Sequence, residues 1–247
     1  MSILNRALLE LTKQYWETKQ SLIGFCASIL VMVGLLLLIR DTASFRYLVS
    51  SQGREGGLLI YCLWVFCTTA TLDVSKSICA DIRVGTLAIF AQSRSGLLRL
   101  ADGRFLSSSI FSLLTVSIIA ATLITLGERF PRIDLRDSLI LLAVLLQTYA
   151  LALLMVAIVL RQKNEIAAQL VGLVISVATV IVPIDRIFGD YASVFLVAGP
   201  LAMLRIGGSP ADLIVLTAST IVWMLAARLF FAKIEKGLKV RGSLLFR

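Results

Sequence analysis

The chain has 247 residues, 58% of them hydrophobic and 16% charged, and a mean hydropathy of +0.93 that lies far above soluble averages. At roughly 20 apolar residues per crossing, this length holds six transmembrane helices with short loops and leaves no room for a sizeable soluble domain. The charge is +9 with no histidine, and the four cysteines (Cys26, Cys62, Cys67, Cys79) sit in or beside apolar runs without a C-x-x-C spacing, which argues against metal or redox work and for packing.

Residues 1–21 open with Ile3, Leu4, Ala7, Leu8, Leu11 and Tyr15 at helical spacing, while Arg6, Glu10, Lys13, Gln14 and Glu17 fall largely on the other side. This pattern predicts an interfacial amphipathic helix with Trp16 at headgroup level. A secretory leader is the competing reading, but its short charged region leads straight into an apolar core, whereas polar residues here continue to Ser21. The expected fold is therefore all-α and polytopic: the interfacial helix, a six-span domain over 22–232, and a basic tail at 233–247.

The first two expected spans are Leu22–Ile39 and Leu58–Ile78. Between the second and the third, Phe105–Leu126, lies a polar and basic interruption at 79–104. Its four arginines and two aspartates from Asp81 onward would each cost about 2.5–3.5 kcal/mol at a helix centre in hydrocarbon. The stretch must lie in water at one membrane face. Asp81 suits an N-cap, Ile82, Leu87 and Phe90 suit one apolar stripe, and Gly85 suits the close approach of another backbone. The reading is a short surface helix that docks onto a partner.

These residues resemble the cytoplasmic loop of type-2 ATP-binding-cassette (ABC) exporter permeases, where a pattern close to E-R-x-x-G-T-L-E is followed about a dozen residues on by G-K or G-R. Asp81, Arg83, Gly85, Thr86 and Leu87 are similar to that pattern, and Gly103-Arg104 to its end. Ile82 splits the acid and the arginine, Ala88 replaces the second glutamate, and the proline expected after the short helix is missing. The resemblance implies a transport subunit that works as an identical or non-identical pair of permeases above two ATPase subunits. The N-terminal helix would be its elbow, and Asp81, Arg83, Gly85, Thr86, Leu87 and Phe90 its contacts with the ATPase. ATP and Mg would then be held by the partner.

The chain itself has no G-x-x-x-x-G-K-[ST], so no phosphate-binding loop and no expected cofactor or metal of its own. Its many serines have no histidine to activate them and suit helix packing better than nucleophilic catalysis. The remaining expected spans are Leu139–Leu160, Ile166–Val182 and Ala211–Phe231. Before the last, Tyr191–Leu204 is apolar but 14 residues long and broken by Gly199-Pro200, which predicts a re-entrant or interfacial external segment. Within the spans, Asp73 and Arg228 are candidates for a functional pair or for a structural one in contact with each other. Thr68, Thr69, Gln147 and Tyr149 are candidates for a translocation path or for hydrogen bonds that hold helices together.

Orientation follows from the cations. With both termini inside, fifteen Lys and Arg fall on the cytoplasmic side and eight outside, where eight acids balance them. The 79–104 loop therefore faces the cytoplasm of a multi-pass cell-membrane protein. The basic charge is spread among loops without interleaved aromatics, which favours anionic lipid as its partner over nucleic acid. An amphipathic or apolar substrate such as a lipid, drug or peptide suits spans with no charge at the midplane. The competing functions are a secondary transporter, for which paired halves with broken helices are missing, and an assembly or immunity factor.

Overall fold

The computed structural model describes residues 8–9, 11–12, 15–16, 19, 22–39, 54–87, 96–127, 133–162, 189–206 and 209–241. Its helices are α1 (Leu22–Ile39), α2 (Arg54–Val84), α3 (Gly96–Thr125), α4 (Leu135–Gln162), α5 (Ala198–Ile206) and α6 (Pro210–Arg241). A six-residue 3-10 stretch, Gly189–Val194, leads into α5, and no strand occurs among the described residues. Among the described residues, four stretches are long and apolar enough to cross a membrane: Leu58–Val84, Gly96–Thr125, Leu135–Gln162 and Pro210–Leu238. α1 has the bounds expected of the first crossing, and the fifth, Ile166–Val182, lies outside the described residues.

The helix ends carry recognisable stop and start signals. Ser209 and Asp212 cap each other at the start of α6, with the Asp212 amide donating to Ser209 Oγ at 3.4 Å and the Ser209 amide to Asp212 Oδ2 at 2.5 Å. Pro210 occupies the first helical position, where its missing N–H costs nothing. Gly127 (φ +93°) closes α3 and Gly85 (φ +77°) closes α2, each in the left-handed conformation that side chains disfavour.

α3 packs on α2, α2 on α4, and α4 on α6, while the 189–206 segment covers α4 and α6. α2 and α4 are the interior helices, 67% buried over their apolar windows, whereas α3 is 28% and α6 22% buried. The outward faces of α3 and α6 are apolar, with Leu113, Leu114, Ile214, Val222 and Leu229 all more than half exposed. In a chain with four membrane-length helices, such faces meet lipid or another transmembrane helix. Small residues bring α2 and α3 together: Ala70, Thr71 and Ser75 on one, Ala101, Ser107, Ser108 and Ser112 on the other are all buried. The described residues between 8 and 19 are helical, and Leu8, Leu9, Tyr15 and Trp16 are all more than half exposed. Lys19 Nζ lies 5.0 Å from the centroid of the Trp16 ring.

The polar interruption is built differently from its sequence reading. Asp81 does not cap a new helix: α2 continues through it to Val84 and stops at Gly85, whose amide reaches back to the Ile82 carbonyl at 3.1 Å. α3 then begins at Gly96, nine residues before the expected span. The cause is apolar burial on both sides of the gap. Ile78 and Cys79 extend the core side of α2, and Leu97, Leu100 and Ala101 that of α3, so both helices keep packing into the polar stretch. At 1.5 Å per residue α2 is about 46 Å long, against a core of about 30 Å.

Candidate functional site

Three polar layers cross the described part of the bundle, and they take in Asp81, Thr86, Tyr149, Arg228 and Gln147 among the sequence-derived candidates. The first lies at the turn between α2 and α3. Arg104 Nη2 meets Asp81 Oδ2 at 2.6 Å, with the two side chains only 4% and 12% exposed. Thr86 Oγ1 donates to Asp81 Oδ1 at 3.2 Å. Leu87, expected to anchor a partner, is fully buried within this chain. Gly85 is exposed, has a left-handed backbone (φ +77°), and a Cβ there would meet nothing of this chain within 4 Å. Arg83 and Val84 are exposed, Val84 to 75%. Phe90 lies outside the described residues.

The same end of the bundle receives α6. Glu235 Oε1 accepts the Leu97 amide at 3.1 Å, so a carboxylate from the last helix caps the positive end of α3. Gly96 (φ +69°) is needed there, because a Cβ would sit 3.0 Å from that oxygen. Asp81 and Arg104 thus join the end of α2 to α3, and Glu235 joins the start of α3 to α6.

The second layer joins α3, α4 and α6. Tyr149 Oη donates to Asp102 Oδ1 at 2.5 Å and accepts from Arg228 Nη2 at 3.5 Å. Phe105 meets the Tyr149 ring edge to face at 5.1 Å, and the Arg228 guanidinium lies 5.7 Å from its centroid. The expected pairing of Arg228 with Asp73 is not formed; Tyr149 and Asp102 take its place. Asp102 was legible only as part of the loop, since it falls inside a helix only once α3 is known to start at Gly96.

The third layer is centred on Gln147, which is fully buried in α4. The Val197 amide donates to Gln147 Oε1 at 2.5 Å, Gln147 Nε2 donates to Thr220 Oγ1 at 2.9 Å, and Thr220 Oγ1 donates to the Leu216 carbonyl at 2.8 Å. Two further α6 side chains hold the 3-10 stretch by its carbonyls: Ser219 Oγ on Ser193 at 3.1 Å and Trp223 Nε1 on Val194 at 2.9 Å. Val197 has φ 60°, a left-handed conformation that a β-branched residue adopts at a cost of about 1–3 kcal/mol. Gly199 packs so closely that a Cβ would come 2.7 Å from the Ser193 carbonyl.

Of the candidates for a translocation path, three make contacts between elements. Gln147 and Tyr149 are buried and hold neighbouring elements. Thr68 Oγ1 donates to its own helix at Trp64, and Thr69 Oγ1 reaches Ser112 of α3 at 2.9 Å. Cys67 and Thr148 meet at 3.0 Å between α2 and α4. Thr69, Gln147 and Tyr149 bond across elements, whereas the Thr68 hydroxyl bonds within α2.

The fold and these layers define a multi-pass α-helical membrane protein. A scan against protein-family models found no match, and searches of curated proteins and of solved structures likewise found none.

Proposed function

We propose that this chain is the transmembrane permease subunit of an ABC exporter, moving an amphipathic or apolar substrate with ATP hydrolysed by a separate ATPase. In this reading α1, residues 166–182 and the four membrane-length helices make six spans, and 189–206 is a re-entrant segment. Both termini and the 79–104 loop are cytoplasmic, two ATPase copies bind beneath, and a second permease subunit completes the transporter in the cell membrane. One observation carries most of the support: the described residues resembling the coupling motif lie at the end of α2, which is joined to α3 by Asp81 and Arg104 and, through the start of α3, to α6 by Glu235. Force applied at Val84 or Arg83 would reach α2 and α3 through Asp81 and Arg104, and α6 through Glu235.

That arrangement changes which residues test the coupling. Leu87 belongs to the chain's own core, so Val84 and Arg83 are the exposed side chains of the motif through which an ATPase contact is tested. The experiment is co-expression with an ATPase encoded beside this chain, followed by measurement of capture and substrate-stimulated ATP turnover. Val84→Asp and Arg83→Glu should both fold and lose capture or stimulation, since a few central side chains carry most of a small interface's energy. Full retention of both activities in both variants would refute the coupling role. Absence of any ATP dependence in transport would favour an ATP-independent protein.

A further inference from the structure

Arg228 differs from the other buried-layer residues in that its side chain is exposed on the outer surface of α6. A guanidinium has five N–H donors, and its contact with Tyr149 uses one of them at 3.5 Å, the outer limit of a hydrogen bond. Arg228 lies 18 residues after Pro210, or about 27 Å along the helix, close to the full thickness of a hydrocarbon core of about 30 Å. With α6 entering the hydrocarbon at Pro210, Arg228 would sit at the boundary between acyl chains and phosphates, in the leaflet nearer the C-terminal end. The α6 surface around it changes character at this depth. Val222, Leu225 and Leu229, on the side of the bilayer centre or level with Arg228, are 63%, 57% and 71% exposed. Lys233 and Lys236, farther toward the tail, are exposed cations on the same broad face.

We infer that Arg228, with Tyr149 behind it, forms a binding site for the phosphate of an anionic phospholipid in that leaflet. The apolar row takes the acyl chains, and the guanidinium takes two phosphate oxygens in a bidentate contact. Asp102 contributes by position. It takes the Tyr149 proton, so the phenol presents oxygen to Arg228 and steadies the guanidinium against the ring face without competing for the same donors. An arginine at a lipid-facing surface is costly unless counter-charge reaches it; Asp102 supplies one from the protein side through Tyr149, and a lipid phosphate would supply one on the exposed side. The inference requires that α6 cross a bilayer and does not require that the chain be an exporter.

Native mass spectrometry of the detergent-purified full chain, titrated with phosphatidylglycerol or phosphatidylcholine, tests it. The wild type should bind the first phosphatidylglycerol in preference to phosphatidylcholine. Arg228→Gln should weaken that binding about tenfold, the size of one lost charge-assisted contact, while Lys236→Gln changes it less than about threefold. Arg228→Lys should fall between them, because it keeps the charge and loses the fork. Wild-type indifference between the two lipids would overturn the proposal without recourse to any variant. Equal losses in Arg228→Gln and Lys236→Gln would also overturn it, by assigning the effect to diffuse surface charge. So would displacement of the lipid by millimolar inorganic phosphate, which would make this a site for the free anion.

Discussion

Replacing Asp81 by Asn removes the carboxylate from a guanidinium that is 96% buried, with little change in shape. Two unit charges about 4 Å apart attract by about 4 kcal/mol at an effective dielectric of 20, and removing one member of a buried pair costs about 3–5 kcal/mol. Asp81 is slightly open to solvent and Thr86 also bonds its carboxylate, so we place the loss at the low end, about 3 kcal/mol. At about 2–4 °C per kcal/mol for a chain of this size, the purified protein should melt about 6–12 °C lower. Arg104→Met alone should destabilise similarly, because it leaves Asp81 as a half-satisfied buried anion. The double variant, with no charge left, should lose clearly less than the sum of the two single losses. Thermal melts of all four proteins in one detergent give the coupling energy. A coupling below about 0.5 kcal/mol would show that the pair is worth no more than a surface contact and would remove the basis for treating the end of α2 as rigidly joined to α3.

Gln147→Leu should free the 189–206 segment, since it deprives the Val197 amide and Thr220 of their shared partner; in a cysteine-free background, Ala202→Cys should then label at least tenfold faster, and an unchanged rate would disprove the clamp. Gly199→Ala should cost more than Gly34→Ala, because its Cβ meets the Ser193 carbonyl at 2.7 Å whereas the Gly34 position is open; equal melting temperatures would contradict that close approach. Leu87→Asp should prevent folding by burying an unpaired charge, whereas Val84→Asp should leave the melting temperature within about 1 °C; the reverse order would place Leu87 outside the core.

Composition alone determined that the chain is an α-helical membrane protein, because hydrocarbon leaves no partner for backbone groups outside a helix or a closed barrel, and long apolar runs with short polar gaps suit the former. Hydropathy also marked two ends: the expected third span ends at Leu126 and the last begins at Ala211, each within one residue of the end of α3 and the start of α6. Local rules misplaced the end of α2 and the start of α3. Asp81 and Gly85 have the residue types of a helix start followed by a close contact, and also those of a last turn followed by a left-handed stop. Tertiary burial of Leu87, Leu97 and Leu100 decided for the second. Pairing across the bundle was equally out of reach, since Asp81 with Arg104, Asp102 with Tyr149 and Arg228, Gln147 with Val197, and Glu235 with the Leu97 amide join residues 23 to 138 positions apart. Hydropathy and spacing act within one helix, whereas the partner of a buried charge is set by which helices pack side by side and at what depth each one places its polar residues.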